Sequence, residues 1–136
     1  MSLDKAIADA INTIPECVAG GYVDMSMGML LGYKTLDSHP QEVLDLVAAA
    51  TRDLFEGSIV KEIEQSFARS RGLQGTDFHY FQEMLIFSEN LLHVFIRTKR
   101  EPMHAACFVC RKSANVGMVL ARSRMAIDKL VDAALA

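Results

Sequence analysis

Cys107 and Cys110 have the CxxC spacing found in metal-binding and redox motifs, so they are the first residues of this chain to test for chemistry. Both fall on a predicted strand, where side chains three positions apart point to opposite faces, so their sulfur atoms diverge. A zinc site would need two more ligands, and a reactive CxxC pair normally lies at a helix N-terminus. We therefore interpret these thiols, together with Cys17, as buried side chains of a reduced protein.

Three methionines also share a spacing that could serve chemistry, since Met25, Met27 and Met29 alternate along a predicted strand. A row of thioethers could hold copper, but packing in a core or an interface is the commoner use. No histidine has an acid or a nucleophile at a diagnostic spacing, and we interpret His93 as a core side chain. The four histidines are His39, His79, His93 and His104. We predict no catalytic residue, no cofactor and no metal.

The 136-residue chain has the size and composition of one folded domain, residues 1–136, with 51% hydrophobic and 23% charged residues. Its 14 basic and 17 acidic residues give a net charge of −3, far from the basic excess of a nucleic-acid-binding protein. The basic cluster Arg97, Lys99 and Arg100 falls in a predicted turn and is interpreted as solvated. No apolar run reaches the roughly 18–20 residues of a membrane span, and no export signal is visible. We expect a cytoplasmic protein that neither spans a membrane nor binds nucleic acid.

Hydrophobic periodicity predicts three helices and five strands. The predicted strands are Cys17–Val23, Met27–Tyr33, Phe78–Phe87, Leu91–Thr98 and Ala105–Arg111, and the helices are Leu3–Ile14, Ser38–Glu56 and a last helix capped by Ser113. A weaker helical pattern covers residues 59–67. The order is α-β-β-α-β-β-β-α, and short polar connections make the late strands antiparallel hairpins. Because neither face of these strands is polar, helices must cover both faces of the sheet, which predicts an α+β fold.

The second helix has more apolar surface than one sheet needs to cover. On a helical wheel its apolar residues fill an arc of about 200°, whereas the stripe of the last helix fills about 140°. The run Ala48–Ala50 would let a neighbouring helix approach closely. Two explanations stay open: a partner helix packs against the surplus face, or residues 57–77 fold back over it.

Three segments of the C-terminal half carry a family resemblance: Asn90–Ile96, Ala106–Cys110 and Ser113–Gly117. They combine a hydrophobic strand pair, a short turn and an Asn-aliphatic-Gly step into the last helix. With the element order, the first helix and the Val18–Tyr33 hairpin, this pattern resembles the Roadblock/dynein light-chain family, bacterial type. The long connection 57–77 departs from the family's pattern.

The resemblance implies a profilin-like sheet of five antiparallel strands, with the second helix on one face and the first and last helices on the other. It also implies a homodimer formed by pairing the second helices and the third strands. Bacterial members of the family commonly regulate or scaffold small Ras-like GTPases, and none is a catalyst on its own. We therefore expect a non-catalytic adaptor that binds itself and a small GTPase.

The predicted dimer interface consists of Val43, Leu46, Val47, Ala50 and Leu54 from the second helix, with Tyr80 and Gln82 from the third strand. A different function also stays open, a small-molecule or cofactor-sensing domain with an internal pocket. Gly20, Gly21 and Gly28 could supply space for such a pocket beside the sheet.

Overall fold

The structure is a computed structural model that describes residues 1–36, 41–72 and 79–136, and the side chains of residues 41–44 lie outside that description. Along this part of the chain the elements are α1 (Leu3–Thr13), β1 (Cys17–Asp24), β2 (Met29–Thr35), α2 (Gln41–Glu56), α3 (Ser58–Ser70), β3 (Glu83–Phe87), β4 (Leu91–Arg97), β5 (His104–Arg111) and α4 (Val116–Leu135). No helix among them has the length and the hydropathy that a membrane span requires.

The strands form one sheet in the order β2-β1-β5-β4-β3, in which every neighbouring pair is antiparallel. Short connections join β1 to β2, β3 to β4 and β4 to β5 as hairpins, and the central pairing of β1 with β5 brings the two halves of the chain together. The predicted α+β fold with a five-stranded antiparallel sheet is confirmed.

The first core lies between the sheet and the helices α1 and α4. Ile7 and Ile11 repeat along α1 at helical spacing and turn inward together. From the sheet, Tyr22, Val94 and Phe108 point to the same side, because alternate residues of a strand share a face. The predicted apolar stripes of the first and last helices are confirmed.

The second core lies between α2 and the opposite face of the sheet. Ala48 and Phe55 of the helix pack with Phe95 and Cys107 of the strands. α3 follows directly and packs beside α2. The expected division, with α2 on one face and α1 and α4 on the other, is confirmed. The predicted start of this helix at Ser38 lies outside the described residues.

The weak helical pattern over residues 59–67 belongs to a complete helix, α3. Gly57 separates it from α2, and a Cβ atom built there would lie 2.6 Å from the carbonyl oxygen of Asp53. No side chain fits at that distance from backbone, so the sharp junction between the helices requires glycine. The long connection over residues 57–77 therefore includes a whole helix.

β3 is shorter than the predicted strand Phe78–Phe87. Phe78 lies outside the described residues, and residues 79–82 do not form strand. The Tyr80 N–H donates to Glu64 Oε2 at 2.6 Å, and the Phe81 carbonyl oxygen accepts from Arg97 Nε at 3.2 Å. Of these residues, Gln82 makes a backbone bond to β4, its carbonyl oxygen accepting from the Arg97 N–H at 2.8 Å. Because the Tyr80 N–H already donates to a side chain, it is not available to a neighbouring strand, and β3 begins only at Glu83.

The connection between β1 and β2 is a turn over residues 25–28. Gly28 has φ +66° there, a left-handed conformation that favours glycine. Met25 is fully buried, whereas Met27 and Met29 are exposed. The predicted row of methionines on one strand face is therefore wrong, because the turn separates the three side chains.

The helix caps were partly predictable. Ser2 Oγ accepts a hydrogen bond from the Lys5 N–H at 3.2 Å, which confirms it as the cap of α1. α4 begins after Asn115, whose Oδ1 accepts from the Met118 N–H at 2.9 Å. The predicted cap Ser113 is wrong, since the chain turns once more before the helix begins.

Candidate interaction site

α2 has a second apolar face that nothing in the described part of the chain covers. Ala48, Thr51 and Phe55 are fully buried against the sheet. On the other side, Leu46 is 69% exposed and Val47 is 40% exposed. One buried stripe and one exposed apolar stripe on the same helix together account for the wide apolar arc of its sequence.

The exposed stripe coincides with the helical part of the predicted interface. Ala50 is exposed beside Leu46 and Val47, and Leu54 is partly buried. Leu46, Ala50 and Leu54 follow one another at the i, i+4 spacing that places side chains on one helix face. Val43 lies outside the described side chains. α3 leaves the stripe exposed, so the described residues do not support a connection folded back over it.

A groove of about 400 Å³ lies between α2 and the sheet. Ala19 and Gly21 of β1 contribute little side chain to its floor, which leaves space beneath Val47 and Ala50 of the helix. His93 of β4 also lines the groove. An apolar space of this size beside a helix is unfavourable when unfilled, because its lining loses packing contacts.

β3 is an outer strand, and within the described residues no strand pairs with its second edge. Its side chains Leu85, Ile86 and Phe87 are all exposed. The register sets Ile86 opposite His93, so Ile86 lies on the same face of the sheet as the groove. An exposed apolar strand edge is a template for pairing with another strand.

Tyr80 and Gln82 precede β3 rather than lying in it. The Tyr80 ring stacks on Phe67 of α3 with its centroid 4.4 Å away, and Gln82 is exposed. Their place in an interface stays a prediction. Leu85–Phe87 belong to the predicted strand Phe78–Phe87 but were not named in the predicted interface, and the signal for them was the unbroken apolar run in residues 84–87.

The fold and this surface can now be compared with known proteins. No protein-family model and no curated protein matches the chain. Among solved structures, a Roadblock/LC7 domain from Streptomyces avermitilis has a TM-score of 0.69 at 13% identity, covering 100% of both chains. The gliding protein MglB from Thermus thermophilus has a TM-score of 0.70 at 16% identity, over 97% of this chain and 87% of that one. MglB from Myxococcus xanthus has a TM-score of 0.69 at 12% identity, over 96% of this chain and 92% of that one. The chain has the Roadblock fold.

A buried arginine connects several segments of this domain. The side chain of Arg97 is 1% exposed, and its guanidinium group donates to Glu56 Oε2 at 2.6 Å. It also donates to the carbonyl oxygens of Phe55, Phe81 and Pro102 at 3.1, 3.2 and 2.7 Å. The interpretation of Arg97 as a solvated turn residue is wrong, because its strand position turns the side chain towards α2, where a carboxylate neutralises it.

Glu56, Glu64 and His79 each bring one potential metal-ligating atom within 4.8 Å of the others. Lys61 Nζ already lies 2.9 Å from Glu56 and 3.8 Å from Glu64, and Arg97 holds the other Glu56 oxygen. Burial raises the pKa of Glu56, but the hydrogen bonds from Lys61 and Arg97 outweigh it and hold that pKa below its ordinary value. Two carboxylates thus meet two cations, and the cluster is explained as an ion-pair network that joins α2, α3 and β4.

The cysteines of this chain occupy both cores. Cys107 belongs to the core beside α2 and Cys110 to the core beside α1 and α4, so the predicted divergence of the CxxC pair is confirmed. Burial raises the pKa of Cys107 to about 12, which makes its thiol inert at neutral pH. Cys17 is buried too, and all three thiols are free. The pairing of β1 with β5 sets Cys17 opposite Cys110, which the spacing of the cysteines along the chain does not indicate.

The histidines have separate surroundings. His93 is half-buried rather than a core residue, its Nε2 lies 3.1 Å from Ser88 Oγ, and burial lowers its pKa. His104 Nδ1 lies 3.0 Å from the hydroxyl oxygen of Tyr22. His39 lies outside the described residues. The described residues therefore offer an apolar contact surface at α2 and β3, and an ion-pair network around Glu56.

Proposed function

We propose that this protein is a homodimeric, non-catalytic adaptor that binds a small Ras-like GTPase in the cytoplasm. The observation that carries the proposal is the exposed apolar face of α2, formed by Leu46, Val47 and Ala50 above the groove. Contiguous apolar surface of this kind is typical of sites where another protein binds. Three free thiols fit a reducing compartment.

A second copy of the chain is the partner that fits this face. In a two-fold dimer the same patch of each subunit buries the other, so one self-complementary stripe is sufficient. The small side chain of Ala50 allows two helix axes to approach closely, and Leu46 and Leu54 lie one turn to either side of it. Side chains of the partner's α2 would then fill the groove beside Val47 and His93.

The edge of β3 supports the same arrangement. Ile86 lies on the face of the sheet that the groove occupies, so one partner can cover the groove and the strand edge together. Antiparallel pairing of two β3 strands would satisfy their outward backbone groups and remove the exposed edge. We keep Val43, Tyr80 and Gln82 in the proposed interface, with Ile86 as an addition.

The proposed GTPase partner rests on two kinds of likeness. The sequence resembles a family whose bacterial members commonly regulate small GTPases, and the fold is similar to that of MglB, described as a gliding protein in Thermus thermophilus. A protein without its own catalytic site can serve such a partner by binding and positioning it. We propose this role without assigning a direction of regulation.

The groove also favours a second candidate function, a sensor of a small apolar ligand. Its volume of about 400 Å³ falls in the range of small-molecule sites, and Gly20 and Gly21 line it, whereas Gly28 lies in the turn after β1. A ligand would fill the groove but leave Leu46 and the β3 edge uncovered. For that reason the second copy is the occupant that we favour.

Sedimentation of the purified protein tests the self-association. We expect about twice the 15.0 kDa chain mass at micromolar concentration, and a dissociated chain for Leu46→Asp. Leu135→Asp is the matched control, because Leu135 is also an exposed leucine on a helix but lies on α4. A well-folded monomer at ~100 μM, where interfaces of standard size are saturated, contradicts the dimer.

The binding of a GTPase and the alternative role as a small-molecule sensor need separate measurements. Small Ras-like GTPases of the same organism, loaded with GDP or a GTP analogue, should co-elute with the dimer in one nucleotide state. Failure of every such GTPase to bind an intact dimer contradicts the adaptor role. Native mass spectrometry of the protein as purified decides the second candidate, since a stoichiometric small molecule would favour the sensor over the adaptor.

A further inference from the structure

Two thiols lie opposite each other on neighbouring strands. Cys17 is the first residue of β1, and the antiparallel register pairs it with Cys110 of β5. Both side chains belong to the core on the α1 and α4 side of the sheet. Cys107 points to the other side, so the CxxC spacing that the sequence displays is not the pairing that the fold makes.

The backbone bonds around this pair define its geometry. The Arg111 N–H donates to the carbonyl oxygen of Glu16 at 3.1 Å, and the Cys17 N–H donates to the carbonyl oxygen of Ile14 at 3.3 Å. Cys17 therefore directs its own N–H away from β5. On one side a ladder bond lies just outside the pair, as at a non-hydrogen-bonded site, and on the other side an irregularity between Cys17 and Ala19 interrupts the register. Residues at such sites have Cα atoms about 4.5 Å apart, within the range of roughly 4.4–6.8 Å that a disulfide spans.

We propose that Cys17 and Cys110 are a redox modification site that forms a cross-strand disulfide by exchange with a low-molecular-weight disulfide. This site lies on the face of the sheet opposite the proposed dimer interface, so it is independent of the proposed function. In a reducing compartment such a bond would be transient and would report oxidation.

The chemistry assigns different roles to the two thiols. A hydrogen bond from Cys110 holds the pKa of Cys17 below its ordinary value, and the same bond, with burial, raises the pKa of Cys110. Cys17 is therefore the attacking thiolate: its Sγ bonds to one sulfur of the small disulfide and releases the other as a thiol. Cys110 then loses its proton, attacks Cys17 Sγ and releases the second small thiol. Two protein thiols are oxidised and one small disulfide is reduced to two thiols.

Access to the buried pair comes from the turn before β1. Glu16 has φ +52°, a left-handed conformation that is unfavourable for a residue with a side chain. Such local strain lowers the free energy needed to open the turn, and Cys17 follows it directly. Cys110 needs no separate path, because it reacts with the sulfur atom already bound to Cys17.

Oxidised glutathione added to the folded protein tests this proposal, with intact mass and peptide mapping as the measurements. We expect wild type and Cys107→Ala to lose about 2 Da each, the mass of two hydrogens. Tryptic digestion of Cys107→Ala should then give peptide 6–34 linked to peptide 101–111, an assignment that the variant makes unique. The oxidised form should melt at least about 5 °C higher, since the bond closes a loop that spans most of the chain.

Cys17→Ala is the matched control and should lose no mass under the same conditions. The proposal is overturned when folded Cys107→Ala keeps two free thiols and links them only in urea. It is equally overturned when the link joins two chains rather than two strands of one chain. Sedimentation of the oxidised protein separates this inference from the proposed function, because the dimer mass should be the same before and after oxidation.

Discussion

At the scale of single residues, Arg97 connects α2 to two other segments of the chain. Its guanidinium group neutralises Glu56 and satisfies three backbone carbonyl oxygens from separate segments. It also lies 5.2 Å from the centre of the Phe55 ring. A buried charge with this many partners is costly to remove, because a buried partner such as the Phe55 carbonyl oxygen loses its bond without regaining water.

We expect Arg97→Met to lower the free energy of unfolding by about 3–5 kcal/mol, because Glu56 is left with Lys61 alone. Arg97→Lys keeps the charge but cannot reach all three carbonyl oxygens, so its loss should be smaller. Urea unfolding measures both changes. Arg100→Met is the control, since the ion pair of Arg100 with Asp132 is exposed and should hardly matter. A loss below about 1 kcal/mol for Arg97→Met contradicts the role of the network.

His79 gives the same network a pH dependence. Burial, and then the nearby charge of Arg97, lower the pKa of His79, so the folded chain keeps it neutral where the unfolded chain takes up a proton. The free energy of unfolding should therefore fall as the pH drops below the ordinary value of 6.5. Glu56, whose pKa is lowered, adds a further loss below about pH 4.5.

The variant His79→Gln isolates the histidine contribution. Wild type should lose more stability than His79→Gln between pH 7.5 and pH 5.5, as measured by urea unfolding at each pH. His93, whose pKa is also lowered, affects both proteins equally and cancels in the comparison. Parallel pH profiles for the two proteins would show that His79 is not held neutral by the fold.

At the scale of elements, the sharp junction of α2 with α3 depends on Gly57. Gly57→Ala places a Cβ 2.6 Å from a backbone oxygen of Asp53, so we expect a loss of about 1–3 kcal/mol in the free energy of unfolding. Gly117→Ala near the start of α4 is the control, where the added Cβ makes an ordinary contact and should stabilise by roughly 0.4–1 kcal/mol. Thermal unfolding of both variants should show shifts of opposite sign, and equal shifts would contradict the tight junction.

Sequence patterns predicted the elements that are decided locally. The stripes of α1 and α4 and the alternation of β4 and β5 follow from periods of 3.6 and 2, so those elements and their inward faces were predictable. The exposed stripe of α2 was predictable for the same reason, because its apolar arc was too wide for one sheet.

The rest depends on contacts between distant segments. The start of β3 is set by Glu64 of α3, which takes the Tyr80 N–H that a strand would have used. The burial of Arg97 needs a carboxylate 41 positions away, which no local pattern reveals. The opposition of Cys17 and Cys110 appears only once β1 is paired with β5.

For the whole molecule, the two faces of the sheet are covered to different degrees. α1 and α4 close one face with a continuous apolar core. On the other face α2 buries one stripe, exposes another and leaves a groove of about 400 Å³ beside it. A domain with one covered and one partly covered face is suited to self-association, and we expect a second copy to cover the exposed stripe of α2.

Two neighbouring alanines on α2 test this self-association. Ala49 and Ala50 are both exposed in the single chain, but only Ala50 lies on the apolar stripe with Leu46 and Leu54. Substitution by glutamine at either position changes composition and helix propensity equally, so a difference between the two dimer dissociation constants reports the contacts that position 50 alone makes. We expect Ala50→Gln to weaken the dimer roughly 5- to 150-fold, the equivalent of ~1–3 kcal/mol for a bulky amide without hydrogen-bond partners in a packed contact.

The decisive measurement is therefore the dimer dissociation constant of wild type, Ala49→Gln and Ala50→Gln, obtained by sedimentation across a concentration series. Ala49→Gln should match wild type within about twofold, since exposed substitutions change free energies by less than ~0.5 kcal/mol. Ala50→Gln alone should dissociate at concentrations where the other two remain dimers. Equal dissociation constants for the two variants would contradict an interface built on α2.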